Sequence, residues 1–367
     1  MGINANNKIF LKVLIPVAIG ISVVLWLFHR EFSIDTWRHI QFTPGVIGSI
    51  VLAWLFMAGR DFGLTWRFKV LTDHDLSWRQ ALRVDMLCEF TSCVTPSAVG
   101  GSALGMIYLN REGIGFGRAT TLMMTTLFLD ELFFVLACPV IALIVPYDEL
   151  FGFSRGNEMF TSGLKLVFWG VYAVLFIWTL ILFLGIIAKP QGVKAILTKL
   201  FKLPLLRRWE SDIITVTDNM VATSVQLKKK PFKWWLATFG STILSWSSRF
   251  LVVNALFFGF VHDASQLVVF GRQFVVWVVL MVSPTPGGAG VSEWLFTEYY
   301  GDMIAGAGGA GIALVIALFW RIVSYYVYLI VGVCLMPGFF SRKKKGNASP
   351  LLVDNLTNIE NTTNHEQ

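Results

Sequence analysis

Charge is what this sequence has least of. Asp, Glu, Lys and Arg make up 14% of its 367 residues, while 55% are hydrophobic; soluble domains carry about 25% charged residues. That shortage excludes a disordered chain and an ordinary globular enzyme with a membrane anchor attached. Histidine is scarce too. His29, His39, His74, His262 and His365 fall at segment ends, in loops or in the tail, so nothing points to a metal site. Cysteine is confined to Cys88, Cys93, Cys138 and Cys334, all inside apolar stretches and without paired ligand spacing. They read as small buried hydrophobes. No GxxxxGK[ST] phosphate loop occurs, so movement driven by nucleotide hydrolysis is not expected, and neither is any cofactor.

Long apolar runs are what the chain does have. A membrane span takes ~20 apolar residues, and eight candidate segments lie at roughly 11–28, 44–59, 80–109, 119–146, 164–188, 234–260, 265–300 and 304–337. The first follows Lys8 and Lys12 and ends at His29-Arg30-Glu31 without a small-residue cleavage site, so it reads as a retained helix rather than a signal peptide. The net charge of +7 is concentrated in a few loops and the tail. That distribution suits an anionic lipid surface and not nucleic acid.

The linkers set the sidedness. Residues 189–233 are rich in Lys and Arg, and Arg342, Lys343, Lys344 and Lys345 follow the last segment. The positive-inside rule places both in the cytoplasm. Residues 147–163, with Asp148, Glu149 and Glu158, and 301–303, with Asp302, sit better outside. Eight full crossings cannot satisfy these assignments. They are all satisfied if segments three and seven enter and leave on the same side, and those are the segments with helix-breaking centres. Segment three contains Thr95-Pro96-Ser97-Ala98-Val99-Gly100-Gly101, and segment seven contains Ser283-Pro284-Thr285-Pro286-Gly287-Gly288-Ala289-Gly290. Proline removes a donor and glycine weakens a helix, and bare backbone at membrane depth must be covered by protein or line a cavity. The expected fold is therefore an all-α polytopic membrane protein with about six crossings and two re-entrant Pro/Gly hairpins. Both termini are cytoplasmic, and a bacterial-type cytoplasmic (inner) membrane is the expected location. Residues 1–340 form the membrane domain, 189–233 an amphipathic cytoplasmic linker, and 341–367 a disordered tail.

The two broken segments also align with each other. Thr95-Pro96 and Thr285-Pro286, Gly100 and Gly290, Ser102 and Ser292, and Asp73 and Asp263 all recur at an offset of 190 residues. Segments 2–4 (about 44–146) would then repeat as 6–8 (about 234–337) in inverted orientation. Inverted repeats with broken helices are the architecture of many secondary transporters.

Three stretches resemble a known family: Thr95 to Gly101 followed by Tyr108-Leu109-Asn110-Arg111-Glu112-Gly113-Ile114; Ser283 to Gly290 followed by Val291-Ser292-Glu293; and Phe319-Trp320-Arg321-Ile322-Val323-Ser324-Tyr325-Tyr326. They are similar to the transmembrane, flippase-like domain of bacterial lysylphosphatidylglycerol synthases and its stand-alone relatives, over roughly residues 10–338. In relatives a Gln is expected soon after the Gly-Gly pair, where Ser102-Ala103 stand here. The resemblance implies a lipid-translocating domain. It does not imply lysine transfer, because no soluble aminoacyl-transfer domain follows Phe340.

Ionisable residues at depth cost ~2.5–3.5 kcal/mol each by insertion scales, so each needs a reason. Asp130 and Glu131 fall inside segment four and Arg321 inside segment eight. Asp85 and Glu89 are spaced to share one helix face, with Arg83 near them, Glu293 just past the second glycine run, and Arg249 and Arg272 completing the set. One reading has these charges lock helices together. The other makes them a cavity for a phosphate-bearing head group, with Arg as phosphate fork. That cavity would include Thr95, Pro96, Gly100, Gly101, Pro284, Pro286, Gly287, Gly288 and Gly290 from the hairpin tips, with Gly288 a point of close backbone approach. Arg321 is expected to pair with Asp130 or Glu131 first and Glu293 next. Three functions stay open: a translocase moving a phosphate-bearing lipid between leaflets; a membrane enzyme or enzyme subunit acting on a lipid-linked sugar or phospholipid; and a scaffold that transports nothing. Membrane lipids are the expected partners, with a separate lipid-modifying enzyme or a second copy of the chain as further candidates.

Overall fold

The structure, a computed structural model, describes residues 42–341 except 96–98, 153–157, 262, 284, 286, 289–290, 306–309 and most of 203–226. No strand occurs among the described residues. The helices are α1 (Pro44–Leu71), α2 (Trp78–Val94), α3 (Val99–Arg111), α4 (Phe116–Ile144), α5 (Tyr147–Phe151), α6 (Glu158–Phe183), α7 (Pro190–Leu200), α8 (Phe232–Phe260), α9 (Gln266–Leu280), α10 (Val291–Ile304), α11 (Ala310–Arg321) and α12 (Val327–Ser341). A π-turn, Ile322–Tyr326, joins α11 to α12, so that Ile312–Phe339 forms one span.

Among the described residues, five helices are long and apolar enough to cross a membrane: α1, α4, Thr161–Phe183 of α6, α8, and the joined α11–α12. They answer to segments 2, 4, 5, 6 and 8. The first apolar run, 11–28, and the tail, 342–367, lie outside the described residues. α6 carries its apolar side chains outward, with Leu166 77% exposed, Val174 65% and Ile177 57%, a surface of the kind that meets a membrane or a partner.

The two segments with breaking centres are each split into a pair of short helices. α2 starts on a capping box, with Ser77 accepting from Gln80 N–H while the Gln80 side chain reaches back, and it stops at Thr95, ahead of Pro96. α3 then runs back along it. Arg83 and Gln80 near the start of α2 both donate to the Glu112 carboxylate just past α3, at 2.6 and 2.9 Å. Halfway along, Thr91 and Tyr108 share a 2.7 Å hydrogen bond. The second pair closes in the same manner. Gln273 of α9 donates to Tyr300 of α10 at 2.6 Å, and Tyr300 donates to Val269 O at 3.2 Å. Both are hairpins.

α1 and α8 pack antiparallel along their length. Trp234 Nε1 donates to Val70 O at 3.0 Å, while at the other end Gly259 lies against Ser49 and Val46. Close approach without a hydrophobic drive requires small residues. A Cβ at Gly63 would lie 2.9 Å from Ser241 O. This antiparallel course, with a hairpin following each helix, is compatible with the inverted repeat expected of segments 2–4 and 6–8.

One boundary differs from the sequence reading in a way that matters. The second apolar segment ends near residue 59, with Arg60 and Arg67 beyond it, but α1 continues to Leu71, and Arg60 and Arg67 are 3% and 2% exposed. Their guanidinium groups are neutralised by carboxylates from other helices, which a run of hydropathy along one segment does not register. The turn that remains is short, with Asp73 and His74 at φ 55° and 66°. It is tied down by Arg118, which donates to Asp75 at 2.6 Å and Asp73 at 3.2 Å. In the basic linker, α7 is described. The second amphipathic helix expected around Pro204 lies outside the described residues.

Candidate functional site

A cavity of about 210 Å³ lies between α1, α2, α4 and α8, and the two hairpin tips and the π-turn close it. The first tip contributes Gly101 and the second contributes Ser283, Thr285, Gly287 and Gly288. The glycines have a mechanical reason to be there. Gly101 faces α2 so closely that a Cβ would lie 2.6 Å from Cys88 O. Gly287 and Gly288 hold φ of +55° and +70°, the left-handed region that favours glycine. The close approach belongs to Gly287, whose Cβ would enter the Tyr325 ring; at Gly288 a Cβ would meet nothing nearer than Leu280 Cδ2 at 3.4 Å. The expected steric role of Gly288 therefore passes to its neighbour, and Gly288 serves the turn.

Four arginines and four carboxylates line this space, and most are engaged. Arg67 grips Asp130 with two donors, at 2.6 and 3.1 Å, and Trp246 Nε1 donates to the same carboxylate at 2.8 Å. Arg60 pairs with Glu89 and with Asp61, the latter at 2.9 Å, and Tyr328 donates to Asp61 at 2.6 Å. Arg321 Nε lies 2.7 Å from Glu293 Oε1, which is itself buried. Arg321 Nη1 donates to Gly287 O at 3.2 Å, and its guanidinium stacks on Tyr325 at 3.9 Å. Arg67–Asp130, Arg60–Glu89 and Arg321–Glu293 each join two elements, so the wall of the cavity is also its cross-bracing.

Three lining groups stand apart from this pairing. Arg249 stacks on Trp277 at 4.3 Å and lies 3.8 Å from Glu89, but no hydrogen bond reaches its guanidinium among the described residues. Asp85, 1% exposed, has Thr65 Oγ1 at 3.5 Å as its one hydrogen-bond partner among the described residues. Glu131 has a buried Oε2 without a partner among the described residues. A cation without a hydrogen bond and two acids, one with a buried unpartnered oxygen, thus line one cavity among the described residues.

Of the residues singled out in the sequence, the cavity gathers Asp85, Glu89, Gly101, Asp130, Glu131, Arg249, Gly287, Gly288 and Arg321, with Glu293 attached through Arg321. Arg321 has its second-ranked partner: Asp130 belongs to Arg67 instead. Arg83 and Arg272 are not part of the site. Arg83 is taken by Glu112 at the open end of the first hairpin. Arg272 bonds Asp302 at 2.6 and 2.7 Å and accepting carbonyls of Tyr299 and Glu149 at the open end of the second. Position along a hairpin arm, invisible in the sequence, separates them from the cavity. Thr95 bonds back to Thr91 O at 2.7 Å and Gly100 stands in the first turn of α3. Pro96, Pro284, Pro286 and Gly290 lie outside the described residues. Arg60 and Arg67 were missed as site residues, as were Trp246 and Trp277. Cys88, Cys93 and Cys138 are buried, whereas Cys334 is exposed, an outward position on an all-apolar helix. Among the described residues, no three His, Cys, Asp or Glu side chains converge as metal ligands.

Comparison with known proteins agrees with this architecture. A UPF0104 membrane protein from Archaeoglobus fulgidus is 21% identical over 334 residues, covering 87% of this chain and 94% of its own length. No solved structure matches. The family model for the lysylphosphatidylglycerol synthase TM region matches residues 13–332, which takes in every cavity-lining residue, both hairpins and most of the α11–α12 span. The chain belongs to that family of membrane domains.

Proposed function

We propose that this protein moves a phosphate-bearing lipid between the two leaflets of a cytoplasmic membrane, without altering it chemically. The observation that carries this reading is Arg249: a guanidinium lining the cavity, 4.3 Å from the Trp277 ring centre and without a hydrogen bond among the described residues. Arginine presents its donors as a planar fork that matches a phosphate, and a cation at that depth needs a counter-anion to be tolerable. Head groups fit the space, while acyl chains would remain outside it, against apolar helix faces. The surrounding ion pairs, which span α1–α2, α1–α4 and α10–α11, are the contacts that a change of access would break and remake. Broken hairpins at matching places in two antiparallel halves support the same mechanism. The basic linker 189–233 favours cytoplasmic termini.

Reconstitution tests this directly. Purified protein in liposomes carrying a fluorescent phosphatidylglycerol should expose inner-leaflet label to an external quencher, with the lipid recovered unchanged. A modified lipid would make the protein an enzyme, and neither exchange nor modification would leave it a scaffold.

A further inference from the structure

We infer that Glu131 is a proton-binding site, and that lipid movement through the cavity is coupled to protonation of this carboxyl. The inference rests on the lipid-transport reading and adds the driving force to it.

Glu131 sits near the middle of α4 and lines the cavity, with Oε2 buried and unpartnered among the described residues. Its sequence neighbour Asp130 has two donors from Arg67 and a third from Trp246. Glu131 has none of these. Among the described residues, no cation forms an ion pair with it. From α1, Arg67 is committed to Asp130 and Arg60 to Glu89 and Asp61. From α2, Asp85 and Glu89 line the cavity, and Arg83 is held by Glu112. From α8, Arg249 lies beside Glu89, and from α11, Arg321 is paired with Glu293. The helices packed on the other side of α4 offer no substitute: Arg111 of α3 donates to Phe339 O, Lys165 of α6 sits over the Tyr147 ring, and Arg272 of α9 holds Asp302.

An ionised carboxylate at membrane depth with no counter-ion is costly, whereas the neutral acid is not. Proton exchange is therefore the chemistry that lets this group stay in the cavity in both access states. A proton from one aqueous phase adds to a Glu131 oxygen, forming one O–H bond. When the cavity faces the other phase that bond breaks, and the same proton leaves. Asp85 is also buried, but Thr65 Oγ1 lies 3.5 Å from it as a hydrogen-bond partner, and it is the weaker candidate.

The experiment uses full-length protein in liposomes with the membrane potential clamped by potassium and valinomycin, fluorescent phosphatidylglycerol as the lipid, and entrapped pyranine to report pH. With one proton per lipid, a gradient of one pH unit sustains up to about a tenfold leaflet asymmetry. The wild type should build an asymmetry approaching that value while protons cross with the lipid. Glu131→Gln should reach a ratio of one and move no protons. Treatment of the wild type with a hydrophobic carbodiimide, which attacks protonated carboxyls, should place the adduct on Glu131 by mass spectrometry; this readout stands even if Glu131→Gln fails to fold. Lipid exchange that ignores the pH gradient would overturn proton coupling while leaving lipid transport in place. Full asymmetry in Glu131→Gln, or an adduct elsewhere only, would overturn the role of Glu131. No exchange by the wild type under any gradient would remove the transport reading and the coupling with it.

Discussion

Arg249 and Arg321 are the same side chain in the same cavity, yet the structure assigns them different work. Arg321 is spent on protein: Glu293, Gly287 O and the Tyr325 ring hold it. Glu293→Gln would leave a buried cation uncompensated, which typically costs ~3–5 kcal/mol. Thermal unfolding in detergent should show that loss, and exchanging the two residues (Arg321→Glu with Glu293→Arg) should recover most of it. Transport should not recover with it, because the carbonyl of Gly287 would lose its donor. Arg249, with no hydrogen bond among the described residues, should behave in the opposite way. Arg249→Ala should leave the melting temperature nearly unchanged and slow lipid exchange roughly tenfold to hundredfold, the value of a charge-assisted hydrogen bond of ~1.5–3 kcal/mol. The sequence allowed Arg321, Glu293 and Arg249 to be picked out because each stands alone in an apolar run. It hid Arg60 and Arg67 because they follow the end of an apolar run, where charge ordinarily means solvent. Their burial depends on Glu89 and Asp130, partners 29 and 63 residues further along the chain.

Among the elements, the second hairpin tip is the most exacting. Gly287 and Gly288 share a positive φ, which costs an L-residue roughly 1–2 kcal/mol, but only Gly287 also has a ring where its Cβ would go. Gly287→Ala should therefore destabilise the protein more than Gly288→Ala, by calorimetry or by unfolding in graded denaturant. An equal loss for both would mean that the turn alone matters and the Tyr325 contact does not. In the α1–α8 pair, Gly63→Leu should reduce folded yield, since the backbone of Ser241 has no room to retreat. The breaks themselves were legible from Pro and Gly clusters. Which glycine needs space and which needs conformation was not, because that depends on a tyrosine 38 residues away in sequence.

For the whole molecule, the two hairpins open at opposite ends of α4. The first opens beside the start of α4, near Glu112 and the Asp73–Arg118 turn, and the second opens at the far end of α4, where Arg272 reaches Glu149 O. Cysteines placed at Gly115 and Asp148, with exposed Cys334 replaced by Ser, should label from opposite sides with an impermeant maleimide. Labelling of both from one side would break this topology. The two tips meet at one cavity, each reaching it from its own surface, so neither barrier between the cavity and water spans the full membrane. An electric potential across the membrane is then divided into two thin layers. A full crossing is worth ~2.3 kcal/mol per charge per 100 mV, but a charge moving between the cavity and either surface would feel only about half. Each step of the cycle should therefore respond to voltage with roughly half the steepness of the complete cycle, and a fast capacitive current without net transport should accompany occupation of the cavity from one side.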